Sequence, residues 1–319
     1  MHPTRRSVLA GLVTAGALAT GPARAAGEAA LSEFRIGYQK IGLIVVTRQQ
    51  QLIEKQLADR GVKVRWFEFQ AGPPLLEALN AGSIDFGYTG DAPPIFSQAA
   101  GGNLVYTAAA APSGEGEAIL VKEASPIRTV ADLKGRKVAV ARGTSSHNLL
   151  VAALEKAGLR FSDITPVYLS PADAGSAFTG GSVDAWAIWD PYFAIAQARD
   201  ATRVLTTSGQ TLDVSGYFLA DRTFAQAHPA VVRAALRALE QGAAWAEAHR
   251  DQVARALTDI TGIPYPIQKV AADRTQFAVR PLSNAILAGQ QATADRFHRL
   301  GLIPRAITVR DAVWTAPPA

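Results

Sequence analysis

The 319-residue chain contains no cysteine. That excludes disulfides, thiol nucleophiles and cysteine-ligated zinc or iron–sulfur centres. It also excludes a lipid anchor on an N-terminal cysteine. Histidine is scarce: His2, His147, His228, His249 and His298, with no two spaced i, i+4, so a histidine metal pair on a helix is absent. None of the motifs GxSxG, HExxH, GxxxxGK or GxGxxG occurs, which removes four common signatures of catalysis and nucleotide binding. Asp85 and Asp184 are the nearest thing to a carboxylate pair, but each opens a strand after Ile or Val and reads as a turn residue. No cofactor and no metal are expected.

The excess of positive charge is also smaller than it looks. The chain carries +5, yet its start, "MHPTRRSVLAGLVTAGALATGPARAAGEAA", has the layout of a secretory signal: a basic head, an apolar run and the small-residue site "ARA". The apolar run, Val8 to about Ala19, is about a dozen residues, short of the ~20 that span a bilayer. "TRRSVL" resembles a twin-arginine signal, and the general secretory route fits as well. Residues 1–25 take Arg5, Arg6 and Arg24 with them and no acid, leaving 29 basic against 27 acidic residues, or +2. Nucleic-acid binding loses its support. An exported, cysteine-free, unanchored chain reads as a soluble periplasmic protein of a bacterium, and a monomer is expected.

From Phe34 to about Leu219, β-like runs such as "FRIGY", "VKVRWFEF", "LVYTAAAA", "EAILVK" and "KVAVA" alternate with helical segments such as "RQQQLIEKQLADRG", "PPLLEALNAG", "TVADLKG" and "TSSHNLLVAALEKAG". Such alternation predicts an α/β fold with largely parallel sheets covered on both faces. After "SGYFLAD" the pattern is helical only. Val232, Leu236, Leu239 and Ala243 share one face, as in a helix that packs back on an earlier sheet. Two lobes fit this order: residues 33–112 with 214–319, and residues 113–213. The chain crosses between them at the Gly/Ser-rich "APSGEGEA" and "SGQTLDVSG".

One element is written twice. "GSIDFGYTGD" (Gly82 to Asp91) returns as "GSVDAWAIWD" (Gly181 to Asp190), so that Gly82, Ser83, Asp85 and Asp91 meet Gly181, Ser182, Asp184 and Asp190 at one fixed offset. Ligands in open α/β sheets collect at the carboxyl ends of strands. Two facing lobes would bring Thr89, Gly90 and Asp91 to the same cleft as Trp189 and Asp190. Both aspartates also suit the N-cap of the helix that follows. In "VAVARGTSSHN" a strand runs into Thr144, Ser145 and Ser146 at a helix start, where free N–H groups and hydroxyls favour an anion. A plain N-cap at Thr144 or Ser145 is the alternative there.

With "FRIGYQKIGLIVVTRQQ", "LLEALNAGSIDFGYTGDAPPIFSQAAG", "ILVKEASPIRTVADLKGRKVAV", "DITPVYLSPADAGSAFTGGSVDAWAIWDPY" and "FAVRPLS", residues 33 to 310 resemble the aliphatic-sulfonate-binding proteins of bacterial ABC importers. The resemblance extends to the wider group that binds nitrate, taurine and thiamine-precursor pyrimidines. It implies a two-lobed type II periplasmic-binding fold with a hinge and an interlobe cleft. It also implies an organosulfonate ligand and, as partners, a membrane ABC permease with its ATPase. The ligand residues it implies are Gln39, then Thr89, Gly90 and Asp91, then Thr144, Ser145 and Asn148, then Trp189 and Asp190, and Arg280. Lys40 and Arg142 are further candidates for the anion's charge, and Asp91, Glu115 or Asp190 for the ammonium group of a ligand such as taurine. Enzymes on this fold that use cysteine for desulfination or pyrimidine synthesis are excluded by its absence.

Overall fold

Short apolar strands need cover on both faces, and the computed structural model supplies it over the residues it describes, 31–112, 114–212 and 215–316. The segment read as an export signal lies outside them. The strands are β1 (Glu33–Tyr38), β2 (Lys63–Glu68), β3 (Phe86–Thr89), β4 (Leu104–Pro112), β5 (Glu117–Lys122), β6 (Lys137–Val140), β7 (Thr165–Tyr168), β8 (Ala185–Trp189), β9 (Thr202–Thr207), β10 (Ser215–Asp221) and β11 (Val279–Arg280). They form one sheet in the order β11-β4-β10-β3-β1-β2 and another in the order β7-β6-β8-β5-β9. The helices are α1 (Gly42–Gln49), α2 (Leu52–Leu57), α3 (Gly72–Asn80), α4 (Ala92–Ala99), α5 (Ser145–Lys156), α6 (Pro171–Thr179) and α7 (Tyr192–Arg199). After these come α8 (Ser208–Thr211), α9 (Arg222–Ala227), α10 (Pro229–Ala248), α11 (Arg250–Thr261), α12 (Tyr265–Arg274) and α13 (Asn284–Arg299).

The sheets are mixed, which corrects the expectation of largely parallel ones. β1 is parallel to β2 and β3, and β6 to β7 and β8. However, β10 runs antiparallel to β3 and β4, and β5 antiparallel to β8 and β9. The reason is the crossing. β4 and β9 deliver the chain to the carboxyl edge of their own sheet, and the next strand enters the other sheet from that same edge. It must therefore run backwards.

The doubled element builds the same turn twice. Gly82 and Gly181 sit at φ 68° and 72°, a left-handed conformation that costs glycine little. Ser83 N–H then donates to the Ala78 carbonyl at 2.9 Å and Ser182 N–H to that of Ala177 at 2.9 Å. The aspartates that follow are register locks. Asp85 Oδ2 accepts from the Arg35 backbone N–H at 2.8 Å, and Asp184 Oδ2 from that of Lys137 at 2.8 Å.

Apolar clusters fill both faces of both sheets. On one face of the first sheet Phe34, Ile36 and Phe218 meet Val232, Leu239 and Ala243 of α10, so the late amphipathic helix does pack back. The other face carries α3, α4 and α13 through Leu75, Ile95 and Phe297. In the second sheet Val138, Val140 and Ala187 lie under Leu149 and Leu150 of α5, with Trp186 and Phe178 opposite.

Three local expectations change. The helix read over "RQQQLIEKQLADRG" starts earlier, at Gly42, because the β-branched run Ile44–Thr47 is buried. It breaks at Gln51, whose φ is 53°. "TVADLKG" is a 3-10 turn, Val130–Leu133, tightened by a Thr129–Asp132 capping box. The tail is not wholly helical, since β11 joins the edge of the first sheet beside β4.

Candidate functional site

A cavity of about 140 Å³ opens where the carboxyl ends of the two sheets meet. The "GYQK" turn after β1 brings Gln39 and Lys40, the end of β3 brings Tyr88 and Gly90, and α5 begins at the wall with Thr144 and Ser145. Trp189 and Asp190 arrive from the end of β8, Glu117 from the start of β5.

Several side chains here are held by specific bonds. Gln39 Nε2 donates to the Tyr88 carbonyl at 3.3 Å. Thr144 Oγ1 donates to the Ala141 carbonyl at 2.7 Å, so this N-cap residue makes no side-chain cap bond to the first N–H groups of α5. Ser145 Oγ donates to Glu117 Oε1. Gly90 is glycine for lack of room: a Cβ there would stand 2.8 Å from Ser145 Cβ and 2.9 Å from Ser145 Oγ. Trp189 lies in the apolar cluster of the second sheet, edge-on to Tyr192.

The charges around the cavity are mostly matched. Lys40 Nζ pairs with Glu68 at 3.0 Å. Arg274 Nη1 donates to both oxygens of Asp190 at 3.3 Å, and its guanidinium lies 4.0 Å from the centre of the Phe193 ring. Asp190 is not the N-cap of α7, which is Pro191, but from one residue earlier its Oδ1 accepts from the Ala194 N–H at 3.0 Å. Burial pushes the Asp190 carboxyl up to about 6, with Arg274 opposing it. Burial raises Glu117 further, to about 8, Ser145 opposing and the charges of Asp91 and Asp190 adding to the rise.

Of the residues singled out in the sequence, Gln39, Gly90, Thr144, Ser145, Trp189 and Asp190 line this cavity. Thr89, Asp91, Asn148 and Arg280 lie elsewhere. Thr89 is fully buried and its hydroxyl donates to the Gly90 carbonyl at 3.0 Å. Asn148 points one turn into α5, where Nδ2 donates to Asp91 Oδ2 and Oδ1 accepts from Arg296 Nη1 at 3.1 Å. Asp91 makes no side-chain cap bond to α4. Together they tie α4 and α13 to α5, and Glu155 of α5 strengthens the tie by accepting from Arg296 and Arg299 at 2.9 Å each. Burial raises the Asp91 carboxyl to about 6, with the Asn148 amide opposing. Arg280 sits on β11, which runs away from the cavity, and lines a separate depression of about 400 Å³ with Tyr217 and Ser283. Arg142 is exposed and faces the Tyr168 ring. Glu115 accepts from Thr207 Oγ1 at 3.3 Å and is outside the lining. His147 is structural: its ring packs on Phe96, Phe297 and Phe161, and burial lowers it to about 4.

The residues that sequence reading missed are the rest of the wall. Ile41, Leu43 and Ile44 of the α1 entry, Phe218 of β10, and Ala271, Ala272 and Phe277 at and after α12 form its apolar side. Two quoted stretches carried a signal: "GYQKIGLI" contains Ile41, Leu43 and Ile44, and in "FAVRPLS" the cavity residues are Phe277 and Ala278 and not Arg280. Glu117 carried no motif at all; it opens an ordinary apolar strand. Among the described residues no group of three His, Asp or Glu side chains is placed to hold a metal ion. The chemistry on offer is reversible capture of a small anion with an organic part.

The NMT1/THI5-like family profile matches residues 57–253. A protein of Escherichia coli (strain K12) named as an aliphatic sulfonates-binding protein is 44% identical over 306 residues, covering 95% of each chain. The crystal structure of the periplasmic aliphatic sulphonate-binding protein SsuA from Escherichia coli superposes with a TM-score of 0.83 at 44% identity, over 90% of this chain and 94% of that one. The alkanesulfonate-binding protein SsuA from Xanthomonas axonopodis pv. citri, bound to MOPS, gives a TM-score of 0.85 at 42% identity, over 89% and 98%. These relatives are binding proteins and share the two-lobed α/β architecture of periplasmic receptors. The chain therefore belongs to the NMT1/THI5-like family, within its aliphatic-sulfonate-binding group.

Proposed function

We propose that this protein is the receptor of an ABC importer, capturing an aliphatic sulfonate between its lobes and delivering it to a membrane permease and ATPase for sulfur acquisition. The observation that carries the reading is the make-up of one cavity: the start of α5 with its hydroxyls, together with Trp189 and an apolar lining. An anionic head suits the first, an alkyl tail the second. The lobes correspond to residues 33–112 with 214–319 and to residues 113–213, closing about the two crossings. Nothing in the capture calls for catalysis, a metal or a second copy of the chain.

The energetics suit transport. Two or three charge-assisted hydrogen bonds contribute roughly 1.5–3 kcal/mol each, and each buried methylene about 0.8 kcal/mol. Less the costs of ordering and closure, they reach the roughly −8 kcal/mol of a micromolar complex. Release to a permease stays feasible at that depth.

Calorimetric titration with methane- to octanesulfonate, taurine and nitrate tests the reading. Binding of alkanesulfonates ahead of taurine and nitrate, with no turnover, is the expected result. Preference for nitrate, or consumption of the ligand, would overturn it. For the exported form we expect a chain beginning near Ala26 or Gly27, and N-terminal sequencing of periplasmic protein that still starts at Met1 would refute that.

A further inference from the structure

An anion site with a carboxylate in its wall needs an explanation. Glu117 is 5% exposed, lies opposite Trp189 in the β5–β8 ladder and lines the cavity. Its Oε1 accepts from Ser145 Oγ, and Ser145 lines the same cavity as the first residue of α5. A hydroxyl has one proton to give. With Glu117 ionised, that proton goes to the carboxylate, and Ser145 turns lone pairs toward any anion in the cavity. With Glu117 protonated, the carboxyl O–H donates to Ser145 Oγ, and the serine proton is free to donate to the anion. Ser145 cannot easily leave this arrangement, because Gly90 packs directly against it.

The charged surroundings favour the protonated form. Asp91 at the start of α4, Asp190 at the end of β8 and the phenol of Tyr88 on β3 all interact with Glu117. Lys40, on the wall, is engaged with Glu68, and Arg274, outside the lining, with Asp190. Burial raises Glu117 to about 8 without a ligand, and a bound anion acts in the same direction.

We propose that Glu117 is a proton-bearing positioning residue, which holds a proton when the sulfonate is bound and thereby turns Ser145 into a donor toward the sulfonate oxygens. The balance is simple: the ionised carboxylate, a proton from solvent and the sulfonate anion give a neutral carboxylic acid beside the bound anion. Alkanesulfonates stay ionised throughout the neutral and alkaline range, so the proton resides on the protein. This inference rests on the cavity being the sulfonate site.

The test is calorimetry of the whole protein with propanesulfonate from pH 6.5 to 9.5, in phosphate and Tris, which carry no sulfonate and differ in ionisation enthalpy. Affinity should be flat below about pH 7.5 and weaken by up to about tenfold per pH unit above 8, with uptake of up to about one proton per ligand. Glu117→Gln should flatten the profile, since its amide donates to Ser145 Oγ at every pH. Binding without proton uptake above pH 8 in the wild type, or an unchanged profile in Glu117→Gln, overturns the inference and leaves the sulfonate reading intact. So does affinity that increases with pH, which would mark Glu117 as an ionised partner for a cationic ligand group. Failure to bind any sulfonate at any pH removes both. The wild-type proton count does not depend on how well the variant folds.

Discussion

The two copies of the doubled element agree where the sheet needs them and differ where the ligand would be. Their turns match bond for bond, through Gly82 and Gly181, Ser83 and Ser182, Asp85 and Asp184. At the strand ends the copies part. Gly90 and Trp189 occupy equivalent positions, and both line the cavity. One position presents bare backbone so that Ser145 can approach; the other presents the largest side chain there is. The neighbouring crossing strands continue the contrast. Glu117 lies opposite Trp189, whereas the β10 register, Tyr217 opposite Thr89, continued by one step brings Gly216 opposite Gly90. Repetition therefore serves the scaffold, and the departures from it give the cavity two unlike contributions, bare backbone at Gly90 and an indole ring at Trp189.

The turns offer the sharpest test. Asp85 adds an ion pair with Arg35 at 2.5 Å, its own side chain 6% exposed, while Asp184 accepts from the Lys137 backbone. Asp85→Ala should cost roughly 2 to 3 kcal/mol, since it removes charge-assisted hydrogen bonds to a partly exposed Arg35, and Asp184→Ala about 1 kcal/mol. Urea unfolding would measure both; equal losses would mean that the Arg35 pair contributes little.

A second difference is the acid on the neighbouring strand: Glu117 stands opposite the end of the second copy, and the glycine Gly216 opposite the end of the first. A folded-state value of about 8 for Glu117 means that the folded chain keeps a proton which the unfolded chain has already lost above about pH 4.5. Stability conferred by neutrality is thus lost as pH rises, over the window from about 4.5 to 8. Between pH 6 and 8 the unliganded protein should lose roughly 2 kcal/mol through this residue, and Glu117→Gln should remove that loss. Denaturant titrations at the two pH values decide it.

The strand ends should separate affinity from stability. Gly90→Ala must displace Ser145 and the first turn of α5, so propanesulfonate affinity should fall roughly tenfold, about 1.4 kcal/mol. Unchanged affinity would show that Ser145 yields without consequence. Trp189→Ala should act on the tail alone. The affinity gained per added methylene, about 0.8 kcal/mol in the wild type, should shrink, and methanesulfonate should be least affected. Uniform loss across the chain-length series would make Trp189 a core residue rather than a wall. Ligand-induced fluorescence, measured against Trp189→Phe, gives an independent reading.

Local order was legible in the sequence because it is written in short-range rules. The period of apolar residues marked the strands and the face of α10, glycines marked the turns, and the doubled "GS-D" turn pointed to two equivalent strand ends. Pattern alone also pointed to Gly90, Thr144, Ser145, Trp189 and Asp190, which line one cavity, since the places of strand ends and helix starts follow from chain direction. What it could not supply was which distant segments share a wall. The antiparallel insertion of β5 and β10 arises from the path of the chain between sheets, and periodicity is the same in either direction. Asn148 and Asp91, near in motif to the cavity, turn away because α13 packs across α5 and offers Arg296. Arg280 is drawn off by the two residues of β11, which reverse away from the cleft just after Phe277. Glu117 became visible only once β5 lay against β8 and α5 above it, for its acidity is a property of burial beside Ser145, Asp91 and Asp190. Short-range rules were enough for most of the elements, the repeated turn and the start of α5; the packing of segments far apart in the chain set which charges are buried, which are paired and which line the cavity, because burial and pairing depend on neighbours that no local pattern names.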